Sequence, residues 1–368
     1  MRSSVFTLNL KVTIVKMAYE TFLNLIDIIV SKKGSDIHIG EDRQPVVRVN
    51  GNLVVIEEHK ELTHEDMTEI LKKIIPEEAK ERFKNNKEID FSYAPTKDIR
   101  FRANVYIQQS RLCAVFRLIP DKIKTIEELN LPTKLYDFAN MKQGFFLVAG
   151  PTGHGKSTTL ASLINHINHE RSEHIITIED PIEYVFKPSR SIIDQREVRM
   201  DATDFPSALK SVFRQDGDVL MIGEMREKET MSTAVTAAET GHLVFSTLHT
   251  NSAAQTIERI IDTFDSQQQA QIRVQLAGSL AGVLSQRLIP RIAGGLIPAH
   301  ELLISNNAVA NLIRENRTHE INAVIETSSS SGMITINRSL ADLVRDGEIT
   351  MDNAFLNSND KKSLERLL

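Results

Sequence analysis

The chain has 368 residues, 41% hydrophobic and 25% charged, which predicts two domains of a globular protein able to bury a core. Its net charge of −5, from 44 basic and 49 acidic residues, argues against a bulk nucleic-acid-binding surface. The single cysteine, Cys113, excludes an intramolecular disulfide and a cysteine-only zinc cluster, and no apolar run reaches the roughly 20 residues of a membrane-spanning helix.

Residues 1–17 read as an N-terminal extension. Asn9, Lys11 and Thr13 interrupt its apolar content, which argues against a signal peptide, and Met17 is an alternative start. Thr21–Ser31 carries Phe22, Leu25, Ile26 and Ile29 at helical spacing, and Gly34 stops the helix. Short strands follow at Asp36–Ile39, Pro45–Val49 and Leu53–Ile56, with Asn50-Gly51 as a hairpin signal. Helices are expected at Thr63–Ile75, capped by Thr63 with Asp66, and at Pro76–Asn86. Three more strands are Ile89–Tyr93, Arg100–Gln108 and Ala114–Ile119. In Arg100–Gln108, Phe101, Ala103, Val105 and Ile107 share one face, and Arg102, Asn104, Tyr106 and Gln108 the other. Residues 18–120 thus predict a small α/β domain around a largely antiparallel sheet.

Pro120–Pro132 reads as a polar linker, with residues 121–143 leading into the second domain. From Gly144 strands alternate with helices, the grammar of a parallel sheet. Strands are expected at Phe145–Ala149, His174–Ile178, Val219–Ile222, Leu243–Thr247 and Ala299–Ile304. Helices are expected at Thr158–Asn168, Phe205–Phe213, Lys228–Glu239, Ala253–Thr263 and, as one long helix, Ser266–Gln286. Residues 144–305 form the predicted core. Residues 306–368 form a helical tail, with helices at Ala308–Glu315, Glu320–Thr327 and Thr335–Asp346.

The strongest motif is Gly150-Pro151-Thr152-Gly153-His154-Gly155-Lys156-Ser157, between an apolar strand and a helix that opens near Thr158. This is the strand–turn–helix setting of a phosphate loop, where glycines let backbone N–H groups face phosphate oxygens. Lys156 reaches the β- and γ-phosphates and Ser157 offers a hydroxyl to Mg²⁺. Such a loop specifies nucleotide binding, whereas hydrolysis also needs a metal holder, a base for water and a cation over the developing charge. Glu179, Asp180 and Glu183 sit at or beyond a strand's C-terminal end, where open α/β sheets hold ligands, and Glu183 is the preferred candidate to polarise water. A solvated acidic turn is the bland alternative. Asp218–Glu224 is an apolar strand ending in an acid, the Walker B arrangement. Glu224 would hold Mg²⁺ through water, and Arg226 follows closely, either to pair with it or to serve a neighbour. His249 closes another strand near the phosphates, with His242 at the strand's opposite end. His249 is placed to sense the γ-phosphate by hydrogen bonding or to link one subunit to the next, and a structural role is the bland alternative for either histidine. Arg102, Arg111 and Arg117 are candidate cations for a neighbouring subunit's nucleotide, or simply members of a solvated strand face.

Several segments together carry a resemblance: Gly34–Ile39, Arg100–Asn104, Gly150–Ser157, Thr177–Glu183, Gln195–Val198, Ile222–Arg226 and Thr240–Asn251. From about residue 20 to 350 the chain resembles the hexameric type II/IV secretion ATPases, and most closely the type IV pilus retraction ATPase (PilT) family. The resemblance implies an α/β chain with a PAS-like N-terminal domain, a RecA-like P-loop ATPase domain and a helical tail. It implies a cytoplasmic homohexamer that uses ATP and Mg²⁺ to power pilus retraction. It also implies contacts with an inner-membrane platform protein of the pilus and with a paralogous ATPase, no nucleic acid, and attachment to the membrane only through partners. It casts Glu183 as base, Glu224 as Walker B acid, His242 and His249 as the His box, and raises Arg102 and Arg117 as trans cations. Departures are His154, where the family usually has Ser or Ala, Ala310, where Arg is usual, and Gly217, where Pro is usual. The alternatives are a pilus-assembly or type II secretion ATPase, a non-hydrolysing regulatory partner and a nucleic-acid motor.

Overall fold

The computed structural model describes residues 18–49, 51–97, 99–119 and 122–368. The readings made of residues 1–17, Asn50 and Pro120 lie outside them. Contacts divide the chain into two units. One runs to Asp121 and takes in Pro181–Tyr184; the other comprises Lys122–Asp180 and Val185–Leu368. Among the described residues no helix is long and apolar enough to cross a membrane.

The first unit opens with α1 (residues 18–31), whose Phe22, Leu25, Ile26 and Ile29 are all buried, as their spacing predicts. Its six strands are β1 (Asp36–Gly40), β2 (Val46–Val49), β3 (Asn52–Val55), β4 (Glu88–Tyr93), β5 (Arg100–Gln108) and β6 (Arg111–Ile119). They form one antiparallel sheet in the order β3-β2-β1-β6-β5-β4. Phe22 seats α1 on this sheet, its ring 4.8 Å from that of Phe116, which in turn meets Phe101 edge-on. Helix α2 (His64–Ile74) starts with the expected cap: the Asp66 N–H donates to Thr63 Oγ1 and the Thr63 N–H to Asp66 Oδ2. Helix α3 (Glu77–Asn86) follows. On β5 Phe101, Ala103 and Val105 are buried, but Ile107 is exposed: there the strand runs past the edge of the core.

The second unit is built on a seven-stranded sheet of β7 (Gly144–Ala149), β8 (His174–Glu179), β9 (Ile192–Glu197), β10 (Val219–Ile222), β11 (Leu243–Leu248), β12 (Leu280–Pro290) and β13 (Leu296–Ile304). Their order is β13-β12-β7-β11-β10-β8-β9. Only β13 runs antiparallel, against β12. Every residue of β7, β10 and β11 is buried, as strands covered on both faces require. Helices α4 (Leu135–Ala139), α5 (Lys156–Glu170), α6 (Phe205–Val212), α7 (Lys228–Glu239), α8 (Ala253–Asp262) and α9 (Ser266–Ser279) accompany the sheet. The tail is α10 (Asn307–Arg314), α11 (Ile321–Thr327), α12 (Ile336–Arg345), α13 (Met351–Asn357) and α14 (Lys361–Leu367). This mixed α/β core is consistent with a RecA-like ATPase fold.

Helices α4, α13 and α14 were not expected individually, and three further stretches differ from the sequence expectation. The helix expected to reach Gln286 ends at Ser279, and Leu280 begins β12. Leu280, Val283 and Leu284 suit a buried helix face as well as a buried strand, so periodicity alone cannot separate them. Gly282 decides for close backbone approach: a Cβ there would lie 2.7 Å from the Leu303 carbonyl and from the Phe138 ring. Strand β9 carries Asp, Gln, Arg and Glu and lies at the sheet edge, so it lacks the apolar signature of its neighbours. The stretch read as a polar linker is packed, with Ile126 and Leu131 buried.

Candidate active site

Strand β7 delivers the chain into the turn Gly150–Gly155, and α5 starts at Lys156 behind a left-handed Gly155 (φ +80°). A helix start leaves N–H groups without intrahelical partners, which suits them to anions. The turn lies against β12, which extends beyond the end of β7: their register stops at Ala149 opposite Ser285. Gly150 (φ +145°) approaches β12 so closely that a Cβ would sit 2.4 Å from the Gln286 carbonyl oxygen. The buried Gln286 side chain bridges the loop and its helix: Nε2 donates to the His154 carbonyl at 2.6 Å, and Oε1 accepts from Thr159 Oγ1 at 2.8 Å. The Leu288 N–H donates to His154 Nδ1 at 2.9 Å, so His154 carries its proton on Nε2. Burial, then Lys156 and Arg287, hold the His154 pKa below the usual histidine value.

Lys156 Nζ donates to the carbonyls of Gly150 and Pro151, both at 2.9 Å, and lies 3.4 Å from His249 Nδ1. His249 follows β11. Its Nδ1 is 3.3 Å from Thr152 Oγ1, and its Nε2 is 3.4 Å from Glu224 Oε2. Glu224 follows β10 and meets Arg226 Nη2 at 2.9 Å. Because β7, β11 and β10 are neighbours and parallel, three strand ends bring Thr152, Lys156, His249, Glu224 and Arg226 into one chain of contacts. Burial and Lys156 depress the His249 pKa against the opposing pull of Glu224. A neutral imidazole donating from Nε2 to Glu224 leaves Nδ1 as the acceptor facing Lys156. Ser157 and Thr158 open the first turn of α5.

His242 stands at the other end of β11, away from this constellation. Its Nδ1 is 3.0 Å from the Ala237 carbonyl and its ring meets Phe213 edge-on. Of the acidic turn, Glu179 is buried and accepts from Thr177 Oγ1 at 2.7 Å, while Asp180 pairs with Arg199 at 3.1 Å. Glu183 falls within Pro181–Tyr184, the segment grouped with the first unit, where Arg102 Nη1 lies 3.7 Å from its Oε1.

Pairing register in the first unit sets Arg102 opposite Arg117, Arg117 opposite Asp36, and Asp36 opposite Arg48. Arg117 Nε donates to Asp36 Oδ1 at 3.0 Å and Ser35 Oγ to Asp36 Oδ2 at 2.7 Å. Burial raises the Asp36 pKa, but the Ser35 hydroxyl and Arg117 outweigh it and hold the carboxyl below its usual value. Arg111, the other arginine considered, pairs with Asp42 at 3.0 Å.

Sequence reasoning missed Gln286 and Leu288, because β12 was read as helix and because the only signal of their role is contact with a loop more than 120 residues away. Gln195, on the edge strand β9, was also missed as a support: it donates to Glu179 at 3.3 Å and accepts the Phe186 N–H at 2.9 Å.

A family model described as type II/IV secretion system protein matches residues 16–295. The chain is 42% identical over 325 residues to the type IV pilus retraction ATPase PilT of Pseudomonas aeruginosa, covering 88% of this chain and 94% of that one. The chain belongs to this family, in its PilT branch. A twitching motility protein of Neisseria gonorrhoeae is 42% identical over 321 residues, 87% of this chain and 86% of that one. A solved structure titled as the pilus retraction motor PilT with bound ADP matches with a TM-score of 0.87 and 44% identity, over 94% of this chain and 98% of that one. Ala310 is buried on α10 within the core of the second unit.

Proposed function

We propose that this protein is a magnesium-dependent ATPase whose ring-forming subunits power retraction of a type IV pilus. The observation that carries the reading is the contact chain from Lys156 through His249 to Glu224 at one edge of a parallel sheet, directly beside a phosphate loop. Near-full-length identity to a PilT supports the retraction role.

Gly150, Pro151, Thr152, Gly153, His154, Gly155, Lys156, Ser157 and Thr158 would hold the nucleotide's phosphates. Ser157 and, through water, Glu224 would hold Mg²⁺; both offer the hard oxygen atoms that ion takes. The close approach of Gly150 to Gln286 leaves no room for a side chain there, as expected of a backbone cradle. Bound Mg²⁺ would supply charge neutralisation on the β- and γ-phosphates. Glu183 acts as the base that orients water, and His249 reports on the γ-phosphate through its hydrogen bonds to the loop. Arg102 and Arg117 act on a neighbouring subunit's nucleotide. Their register, directly opposite each other on β5 and β6, gathers two positive charges on one stretch of the sheet.

The assembly proposed is a homohexamer at the cytoplasmic face of the inner membrane, held there by the pilus platform protein, with a paralogous ATPase as a further partner. The antiparallel sheet of residues 18–120 fits a PAS-like domain, with 144–305 as ATPase core and 306–368 as helical tail. Purified protein is expected to hydrolyse ATP with Mg²⁺, and Lys156→Ala or Glu183→Gln to stop turnover. Robust turnover in Glu183→Gln removes Glu183 as base. A deletion strain is expected to carry excess surface pili; loss of pili would assign the motor to assembly instead.

A further inference from the structure

The phosphate-loop motif leaves position 154 free, yet here its side chain has a defined partner. Strand β12 pairs with β13 as far as Pro290, but with β7 only as far as Ser285. Past that point no strand among the described residues meets its β7-facing edge, and backbone polar groups away from water need partners. The loop supplies one for the Leu288 N–H, and a side chain of the same strand reaches back to the loop. The Gln286 side chain reaches the His154 carbonyl, and the Leu288 N–H reaches the His154 ring at Nδ1. Histidine has the reach for this: Nδ1 lies three bonds from Cα, whereas a serine hydroxyl oxygen lies two.

We propose that His154 is a positioning residue that clamps the phosphate loop to the overhang of β12 by accepting the Leu288 N–H, and that this clamp tightens the loop's hold on nucleotide phosphate. The second half rests on the nucleotide-site reading above; the first does not.

Only a neutral imidazole protonated at Nε2 can accept at Nδ1. Once protonated, both ring nitrogens donate, and Nδ1–H would face the Leu288 N–H. The charged groups facing His154 are Lys156 from α5 and Arg287 from β12, and both favour the neutral ring. The clamp is therefore closed at neutral pH. It opens as pH falls through the histidine's depressed value.

The test compares wild type, His154→Asn and His154→Ala in the full-length protein. Asn Oδ1 also lies three bonds from Cα and accepts at every pH. The first readout is hydrogen exchange of the Leu288 amide at pH 7.5 and at the lowest pH at which the protein stays folded, corrected for the intrinsic rate. The second is equilibrium binding of a fluorescent ADP carrying a methylanthraniloyl group. In wild type, Leu288 protection is expected to fall on acidification; in His154→Asn it persists, and in His154→Ala it is already low at pH 7.5. Between the two pH values the ratio of wild-type to Asn Kd should rise about three- to tenfold, the worth of one neutral hydrogen bond. Because His249 titrates in both proteins, the ratio isolates residue 154. Wild-type protection of Leu288 in His154→Ala, or an acid loss in His154→Asn equal to that of wild type, overturns the clamp. A Kd ratio that stays flat while protection changes overturns its effect on nucleotide. If no form binds the ADP probe, the nucleotide reading fails while amide exchange still decides the clamp.

Discussion

Gly150 and Gly153 both have positive φ, +145° and +79°, but they are glycines for different reasons. A methyl group at 150 would meet the Gln286 carbonyl oxygen at 2.4 Å, against 3.4–4 Å for ordinary contact; at 153 nothing lies within 4 Å. Since the Gln286 oxygen belongs to a paired strand, the loop is the part that must give way, by about 1 Å. Misplacement of that size costs on the order of 100-fold in a positioned reaction. Gly153→Ala carries only left-handed strain, about 1 kcal/mol, or roughly five- to tenfold. In steady-state ATP hydrolysis, Gly150→Ala is therefore expected to lose about 100-fold in kcat/KM and Gly153→Ala about tenfold or less. Equal damage from the two substitutions, or a Gly150→Ala enzyme within fivefold of wild type, would refute the placement of the loop on β12.

Three further outcomes follow from particular groups. His300 is fully buried on β13, and burial pushes its pKa down to about 4 from 6.5. The unfolded chain therefore binds a proton the fold refuses, so stability present above pH 6.5 drains away toward pH 4, by about 3 kcal/mol. His300→Leu should flatten that window in urea unfolding; a parallel acid loss in both proteins would point to another group. Asp36→Asn should cost about 1–2 kcal/mol at pH 7, allowing for the exposed Arg117. That difference should shrink as pH falls below 3.8 through the depressed Asp36 pKa, read as a converging thermal midpoint. Mixing Arg117→Ala with Lys156→Ala subunits, each inactive alone, should restore activity if Arg117 serves its neighbour, because a Lys156→Ala subunit then completes the site of an adjacent Arg117→Ala subunit. Mixtures no more active than either variant alone would end that assignment.

The loop itself was legible because everything that defines it is local: an apolar strand, three glycines, a lysine and a helix start within about 25 residues. Glu224 and His249 were legible for a topological reason, since parallel strands place their C-terminal ends along one edge. What supports the loop was not. Gln286 sits on a strand whose apolar residues read equally as helix, and its partners lie 127 and 132 residues away. Alternation along β5 placed Arg102 on the polar face, but only register could set it opposite Arg117, and register comes from the partner strand. The role of His242 followed a different rule: strand direction put it at the far end of β11 from His249.

Strand β12 also has a mechanical meaning. Three consecutive residues divide their attachments: Gln286 and Leu288 hold the phosphate loop, while Arg287 between them reaches the carbonyl of Asn357, the last residue of α13, and Asn359 Oδ1 just beyond it. Farther along, Ile289 packs with Leu340, Ala354 and Leu364 of the last helices. A strand hydrogen-bonded along its length is close to inextensible, so it acts as a beam with the nucleotide loop bolted to one side and the C-terminal helices to the other. The nucleotide loop and the C-terminal helices are thus attached to the same short run of one strand.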